Sequence, residues 1–354
     1  MALATALTRG RSMQIHFLIP LLFGSVHGYD ERFVYTSFTY PHSYPMLEAG
    51  ARTWRKHIRS VFVESAPTGV DENRVRHGDS RPAYLNLHDE LWVYSDYPPI
   101  NEKVPFIPRS LATIRLANST FHGQFDWLLY SDDEGIFLMD RVSRLVEGLD
   151  PSVPYYLCDN IMDSCNHYHE GQNISVGESE YCVIPSAHAS HTACPRNAAA
   201  VPCTSEAVIA SRKCHDTPDH EGWHFCNGNQ GSIISRGLID SIVEGDWKRC
   251  ERAGRHPYSD VALGNCIWEF GYAPTNPTDT ATVKQFSRCI FGRYSATQYT
   301  ELANKSITES SMSETTSSLL DAATTWVKHH TRSENGFIVD QFWQARERML
   351  KKWQ

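Results

Sequence analysis

No cysteine precedes Cys158 in this chain of 354 residues. The first part, from about Tyr29 to Leu149, is therefore held together by core packing and not by disulfides. A basic excess is also missing: 33 Lys and Arg against 41 Asp and Glu give a formal net charge of -8, with the two signs interspersed. Phosphate-backbone binding needs a basic stripe, so nucleic acid is excluded as an expected partner. Long apolar runs are missing as well. The N-terminal run from Ile15 to Val26 contains His16 and Pro20, and it falls short of the roughly 20 apolar residues of a helical membrane span. No internal repeat is apparent. What is present is ordinary for a globular protein, 41% hydrophobic residues, which suffices for a buried core.

Arg9 and Arg11 precede the apolar run, and small residues follow it at Gly24, Ser25 and Gly28. That order suits a targeting leader over residues 1–28, either cleaved after about Gly28 or kept as a short signal anchor. Membrane association is expected only through such an anchor. The ten cysteines all fall between Cys158 and Cys289, an even set suited to an oxidising compartment, and N-x-S/T sequons occur at Asn118, Asn173 and Asn304. The expected location is the lumen of the secretory pathway, Golgi or ER, with secretion as an alternative.

Strand-like and helix-like segments alternate through the cysteine-free part. Arg32–Tyr40, Ile58–Ser65, Glu90–Ser95 and Phe125–Tyr130 are rich in aromatic and β-branched residues and predict strands, while Pro45–His57 and Pro108–Phe121 carry helical patterns. Alternation of this kind predicts an α/β domain with a mostly parallel sheet and helices on both faces, binding ligands at the carboxyl ends of its strands. The domain is expected over residues 29–290, with a cysteine-rich insertion at 158–226. Residues 291–354 are expected to form a C-terminal extension, with a Ser/Thr-rich linker from Ser306 to Thr325 and a terminal helix from Val339 to Lys352.

The most informative segment is FDWLLYSDDEGIFLMD, residues 125–140, in which an apolar strand runs into Asp132, Asp133 and Glu134 and then returns to apolar residues. Adjacent carboxylates at the end of a buried strand repel one another, and a divalent cation with oxygen ligands, Mn²⁺ or Mg²⁺, relieves that repulsion. A solvated acidic turn is the plain alternative. Downstream, HFCNGNQGSIISRGLID (224–240) places Gly228 and Gly231 in a small-residue loop where backbone can approach a ligand closely. In YSDVALGNCIWEFGY (258–272), Asp260 stands at a helix start, where a capping carboxylate is the ordinary reading. His215, His220, His224 and Cys226 lie close in sequence, but their spacing matches none of the usual zinc patterns.

In order and in residues, these segments resemble glycosyltransferase family 31, the group of Fringe and the core-1 β1,3-galactosyltransferases. Asp126, Trp127, Asp132, Asp133, Glu134 and Phe137 match the family's DWFLKADDDTYV-type strand, with Glu in place of the usual third Asp. Cys226, Gly228 and Gly231 match its YCSGGAGYVLSREAL loop, and Asp260, Gly264, Cys266 and Gly271 match EDVALGRCLEKLG, with Ser259 replacing Glu. ARTWRKHIRSVFVES (51–65) is similar to the family's DTW helix and the strand that ends near the nucleotide, which implies that Glu64 contacts the donor.

The resemblance implies a GT-A-type, Rossmann-like fold and an inverting, metal-dependent transferase. Such an enzyme moves a hexose or N-acetylhexosamine from a UDP-sugar to a glycan or glycoprotein hydroxyl, with a β1,3 linkage. Asp260 would be the catalytic base, Asp132 and Glu134 the metal ligands, joined by a late His for which His330 is the candidate, and Asp133, Gly228 and Gly231 would line the donor site. Two other readings compete: a non-catalytic, disulfide-rich carbohydrate-binding protein, and a glycosidase, since carboxylate pairs also hydrolyse glycosides.

Overall fold

The computed structural model describes residues 30–39, 43–65, 90–95, 109–158, 161–163, 182–184, 199–201, 224–253, 259–272, 274, 291–327 and 335–353. The leader, most of the cysteine-rich insertion and His330 lie outside the described residues. Among the described residues no helix is long and apolar enough to cross a membrane.

A six-stranded sheet carries the fold. Its strands are β1 (Phe33–Thr39), β2 (Arg59–Ser65), β3 (Glu90–Ser95), β4 (Trp127–Tyr130), β6 (Tyr156–Leu157) and β11 (Ser232–Ser235), in the order β3-β2-β1-β4-β11-β6. β1 runs parallel to β2 and to β4, β2 runs parallel to β3, and β11 is antiparallel to both its neighbours. The mostly parallel expectation therefore holds over four strands. β1 is the reason the sheet is buried: all seven residues of FVYTSFT are buried, which is the run expected of a strand covered on both faces.

The chain leaves β1 on one side to form β2 and β3, then returns to the other side of β1 as β4. The order of connection thus reverses between β1 and β4. In open α/β sheets a crevice forms at such a reversal, beyond the carboxyl ends of the strands. The acidic turn follows β4 directly and so lies at that crevice.

Helix α1 (Tyr44–Arg52) joins β1 to β2, and α2 (Arg109–Phe121) packs on β1 and β2. The periodic pattern predicts α1 as far as His57, but the helix stops at Arg52. The helix ends where the Thr53 and Arg55 N–H groups both turn back onto the Gly50 carbonyl, at 3.1 and 2.9 Å, and buried Arg55 packs against the helix middle, its Nη2 donating to the Leu47 carbonyl. Its guanidinium lies 4.7 Å from the Phe62 ring centroid. The orphan carbonyl of Gly50 is thereby satisfied, and a buried cation resting on an aromatic face anchors the chain that leaves the helix.

β5 (Gly135–Phe137) follows the acidic turn and leads into α3 (Met139–Leu145). Three short strands in the insertion region, β7 (Ile161–Asp163), β8 (Cys182–Ile184) and β9 (Ala199–Val201), precede β10 (His224–Cys226), which pairs with β7. Then come α4 (Arg236–Ser241), α5 (Glu244–Ala253) and α6 (Ser259–Glu269). The C-terminal part adds β12 (Phe291–Ser295), α7 (Ala296–Thr308), α8 (Glu314–Asp321), β13 (Thr324–Trp326) and α9 (Asn335–Trp353).

The Ser/Thr-rich stretch is not a linker. It forms the end of α7, the whole of α8 and most of β13, because its hydroxyls find partners: Ser313 caps α8 by accepting from the Thr316 N–H at 3.2 Å. Thr316, Ser318, Thr324 and Thr325 are buried. β13 pairs antiparallel with β5 and parallel with β12, so the C-terminal residues brace the strand that follows the acidic turn. One continuous cluster of buried side chains runs from Phe33 in β1 to Met349 in α9.

Candidate active site

Three segments distant in sequence meet beyond the end of β4. The Asp132 N–H donates to the Gly228 carbonyl at 2.9 Å, and the Gly228 N–H donates to Asp260 Oδ2 at 2.9 Å. The two backbone groups of Gly228 thus tie the acidic turn to the start of α6. A side chain at this position would not fit: a Cβ built on Gly228 would lie 2.6 Å from Asp132 Oδ2. Gly228 is therefore where the glycine loop lies against the acidic turn.

Disulfides hold both partners of the turn in place. Cys158–Cys226 joins the end of β6 to the strand that enters the glycine loop, and Cys250–Cys266 joins α5 to α6, the helix that begins at Ser259. Ser110 in α2 adds a third restraint, its hydroxyl donating to the Ser259 carbonyl at 2.7 Å.

The Asp132 carboxylate accepts hydrogen bonds from the Tyr130 hydroxyl at 3.0 Å and the Ser259 hydroxyl at 3.1 Å, both on Oδ1. Burial pushes its pKa well above the ordinary carboxylate range, the charges of Asp260 and Asp133 push it further, and the two hydroxyls oppose them. Asp133 is only 8% exposed and accepts from Ser43, which lies just beyond the end of β1. That hydrogen bond spans the β1/β4 crevice. Asp260 is held by two backbone donors, Gly228 N–H on Oδ2 and its neighbour Val261 N–H on Oδ1 at 2.8 Å.

Glu134 behaves differently. It is only 4% exposed, and burial, followed by the Asp133 charge, raises its pKa to about 8. Its backbone carbonyl accepts from Val327 at 3.0 Å, so the C-terminal segment covers it. Asp132 and Asp260 therefore form the close acidic pair, with Asp133 adjoining and Glu134 set into the core.

Gly231 has a backbone role. Its φ is +80°, and a Cβ there would lie 2.8 Å from Phe137 Cζ; the loop needs a residue that is both small and left-handed. Glu64 is near the end of β2, in register with Thr39 of β1. His330 lies outside the described residues.

Among the described residues no group of three or more His, Cys, Asp or Glu side chains is gathered as a metal site. The chemistry of the donors present still fits a hard cation: Asp132, whose proton affinity is raised by burial and by the charges of Asp260 and Asp133, is an oxygen ligand short of positive charge. Mg²⁺ and Mn²⁺ sites commonly take only one or two carboxylates and complete their shell with phosphate oxygens and water.

Ser43, Tyr130 and Ser259 belong to the site, and sequence reasoning assigned none of them to it. Ser259 had a signal, its position beside Asp260; Ser43 had none.

No family model matches the chain, and no curated protein sequence matches it. Among solved structures, a glycosyltransferase involved in the glycosylation of the major capsid of PBCV-1 is similar over 87% of this chain and 98% of its own, at 10% identity and a TM-score of 0.34. The galactosyltransferase LgtC, solved with donor and acceptor sugar analogs, is similar over 88% of this chain and 95% of its own, at 9% identity and a TM-score of 0.35. Both likenesses fall below the level at which a shared family is assigned.

Proposed function

We propose that this chain is a glycosyltransferase of the secretory-pathway lumen, similar to family 31, that transfers a hexose or N-acetylhexosamine from a UDP-sugar to a glycan or glycoprotein hydroxyl. The observation that carries the reading is the hydrogen-bonded path Asp132–Gly228–Asp260. It joins three separate motif segments, in the order the resemblance implies, at the β1/β4 reversal of a mainly parallel sheet.

In this reading Asp132 and Asp133 hold a divalent cation, Mn²⁺ or Mg²⁺, with Glu134 behind them and His330 as a further candidate ligand. When bound, that cation supplies positive charge to the leaving diphosphate. The chain's own residues do the rest. Gly228 presents backbone where a side chain would collide with Asp132, so the donor can approach. Tyr130 and Ser259 orient Asp132 by two hydrogen bonds. Asp260, its carboxylate oriented by the Gly228 and Val261 N–H groups, receives the proton of the acceptor hydroxyl as that oxygen attacks C1 and the nucleoside diphosphate leaves. Direct attack with a single base inverts the anomeric centre, and a β1,3 linkage is the outcome proposed.

Replacing Asp260 with Asn separates a base from a loop anchor. The Asn side chain keeps one oxygen to accept from Gly228 and gives up only the Val261 contact on the other, so the loop anchor and donor binding are expected to survive while the base is lost. Transfer that persists at wild-type rate in Asp260→Asn, with nucleotide binding unchanged, refutes the assignment. The burial of Glu134 favours a second reading, a carbohydrate-binding chain without turnover. Calorimetry that finds sugar binding but no nucleotide-sugar binding would support it.

A further inference from the structure

Away from the acidic turn, α3, α8 and the end of α9 enclose a cleft of about 510 Å³, within the about 300–1,000 Å³ range of ligand pockets. Arg141 lines it and is only 6% exposed. Among the described residues its guanidinium makes no hydrogen bond. Its closest acid is Asp140, whose Oδ2 is 3.6 Å from Nε, beyond hydrogen-bond reach. Asp140 is already engaged by Arg346, which donates to Oδ1 at 2.6 Å.

The charged groups that act on Arg141 are Asp140 and Asp321 on the acidic side and Arg144 and Arg346 on the basic side. With Arg141 itself, three guanidinium groups face two carboxylates. A buried cation that lacks a hydrogen-bonded acid is costly unless something supplies an anion. Arg144 is exposed and also lines the cleft, so it provides a second fork for the same anion. Met312, Leu320 and Trp353 also line the cleft, together with the two carboxylates Asp140 and Asp321.

We propose that this cleft binds an acidic sugar unit, its carboxylate or sulfate held by Arg141 and Arg144 and its ring laid on Trp353. The anion rests on the geometry alone; the choice of a saccharide rests on the glycosyltransferase reading, since an amphipathic indole face suits the C–H face of a pyranose. An accessory site of this kind would select acidic acceptor glycans.

Titration calorimetry on the full chain without nucleotide donor, using glucuronate, glucose and sulfate as probes, tests the proposal. Glucuronate is expected to bind saturably, glucose not to bind, and sulfate to compete. Arg144→Ala, at an exposed position, should weaken glucuronate about tenfold or more, as loss of a charge-assisted hydrogen bond does. Arg141→Met should abolish binding while leaving thermal stability equal or higher, a result that a structural ion pair would not give. Absence of saturable glucuronate binding, or binding unchanged in Arg144→Ala and Trp353→Ala, overturns the proposal; sulfate binding as tight as glucuronate with a silent Trp353→Ala overturns its saccharide part. Donor turnover measured on the same preparations keeps the two readings apart. Failed glucuronate binding with intact turnover sinks this inference alone, and the reverse sinks the transferase reading alone.

Discussion

Substituting Gly228 with alanine puts one methyl group where the structure has no room. The added Cβ would lie 2.6 Å from Asp132 Oδ2 and 2.8 Å from its Cγ. The collision cannot be relieved by sliding the loop, because the Gly228 carbonyl receives the Asp132 N–H and its own N–H is spent on Asp260, both at 2.9 Å. Either the two hydrogen bonds stretch, at about 1 kcal/mol each, or Asp132 leaves its place between Tyr130 and Ser259. Overpacking of this kind costs about 1–3 kcal/mol in stability. The effect on turnover should be larger, since misplacing a reacting group by about 1 Å costs roughly a hundredfold. Chemical denaturation and metal-supported nucleotide release, measured on the same preparations, are the assays. Gly245→Ala is the control: a Cβ there meets nothing within 4 Å, and the position is the second residue of α5, so stability and turnover should stay near wild type. If Gly228→Ala retains wild-type stability and turnover within twofold, the contact that defines the site is not the one described.

Other perturbations have equally definite outcomes. Ser259→Ala removes a hydroxyl that lowers the Asp132 pKa, so the acid limb of the pH–rate profile should move to higher pH; an unmoved limb contradicts the assignment. Glu134 has its folded pKa raised from 4.5 to about 8, so folding takes up a proton and metal-free stability should fall as pH rises from the unfolded value through about 8. The full penalty is at most about 5 kcal/mol at 1.36 kcal/mol per pH unit, and flat stability across that window in chelator would refute it. Removing Cys158–Cys226, which closes a separation of 68 residues, should cost about 4 kcal/mol, against about 3 kcal/mol for Cys250–Cys266 with its separation of 16. Paired Cys→Ser variants compared by thermal unfolding check that order.

The central strands were legible because burial and chain direction act on local composition. Glu90–Ser95 appears with its predicted bounds, and Phe33–Thr39 lies within a residue of each predicted end. Where prediction failed, a distant contact decided. α1 ended where the backbone turned back onto Gly50 and buried Arg55 against Leu47 and Phe62, a tertiary arrangement that helical periodicity cannot register. The Ser/Thr run from 306 to 325 folded because its hydroxyls cap α8 and pack beside β5. In the site, the order of the acidic turn, glycine loop and Asp260 was readable, and the structure brings those three together. Ser43 was not readable: its only qualification is that β1 ends beside the turn that follows β4. Glu134 was read as a ligand on its place in a run of acids, while its burial depends on the covering segment at Val327.

The function proposed for this chain depends on Asp132, Gly228 and Asp260 acting as the floor of a transferase cleft. It is tested most directly by nucleotide release from a panel of nucleotide sugars, with Mn²⁺ present or chelated, by the wild-type chain and Asp260→Asn. Release from a UDP-sugar is expected to require the metal and an acceptor and to disappear in Asp260→Asn. Release indifferent to chelation, or equal in the two proteins, would contradict it.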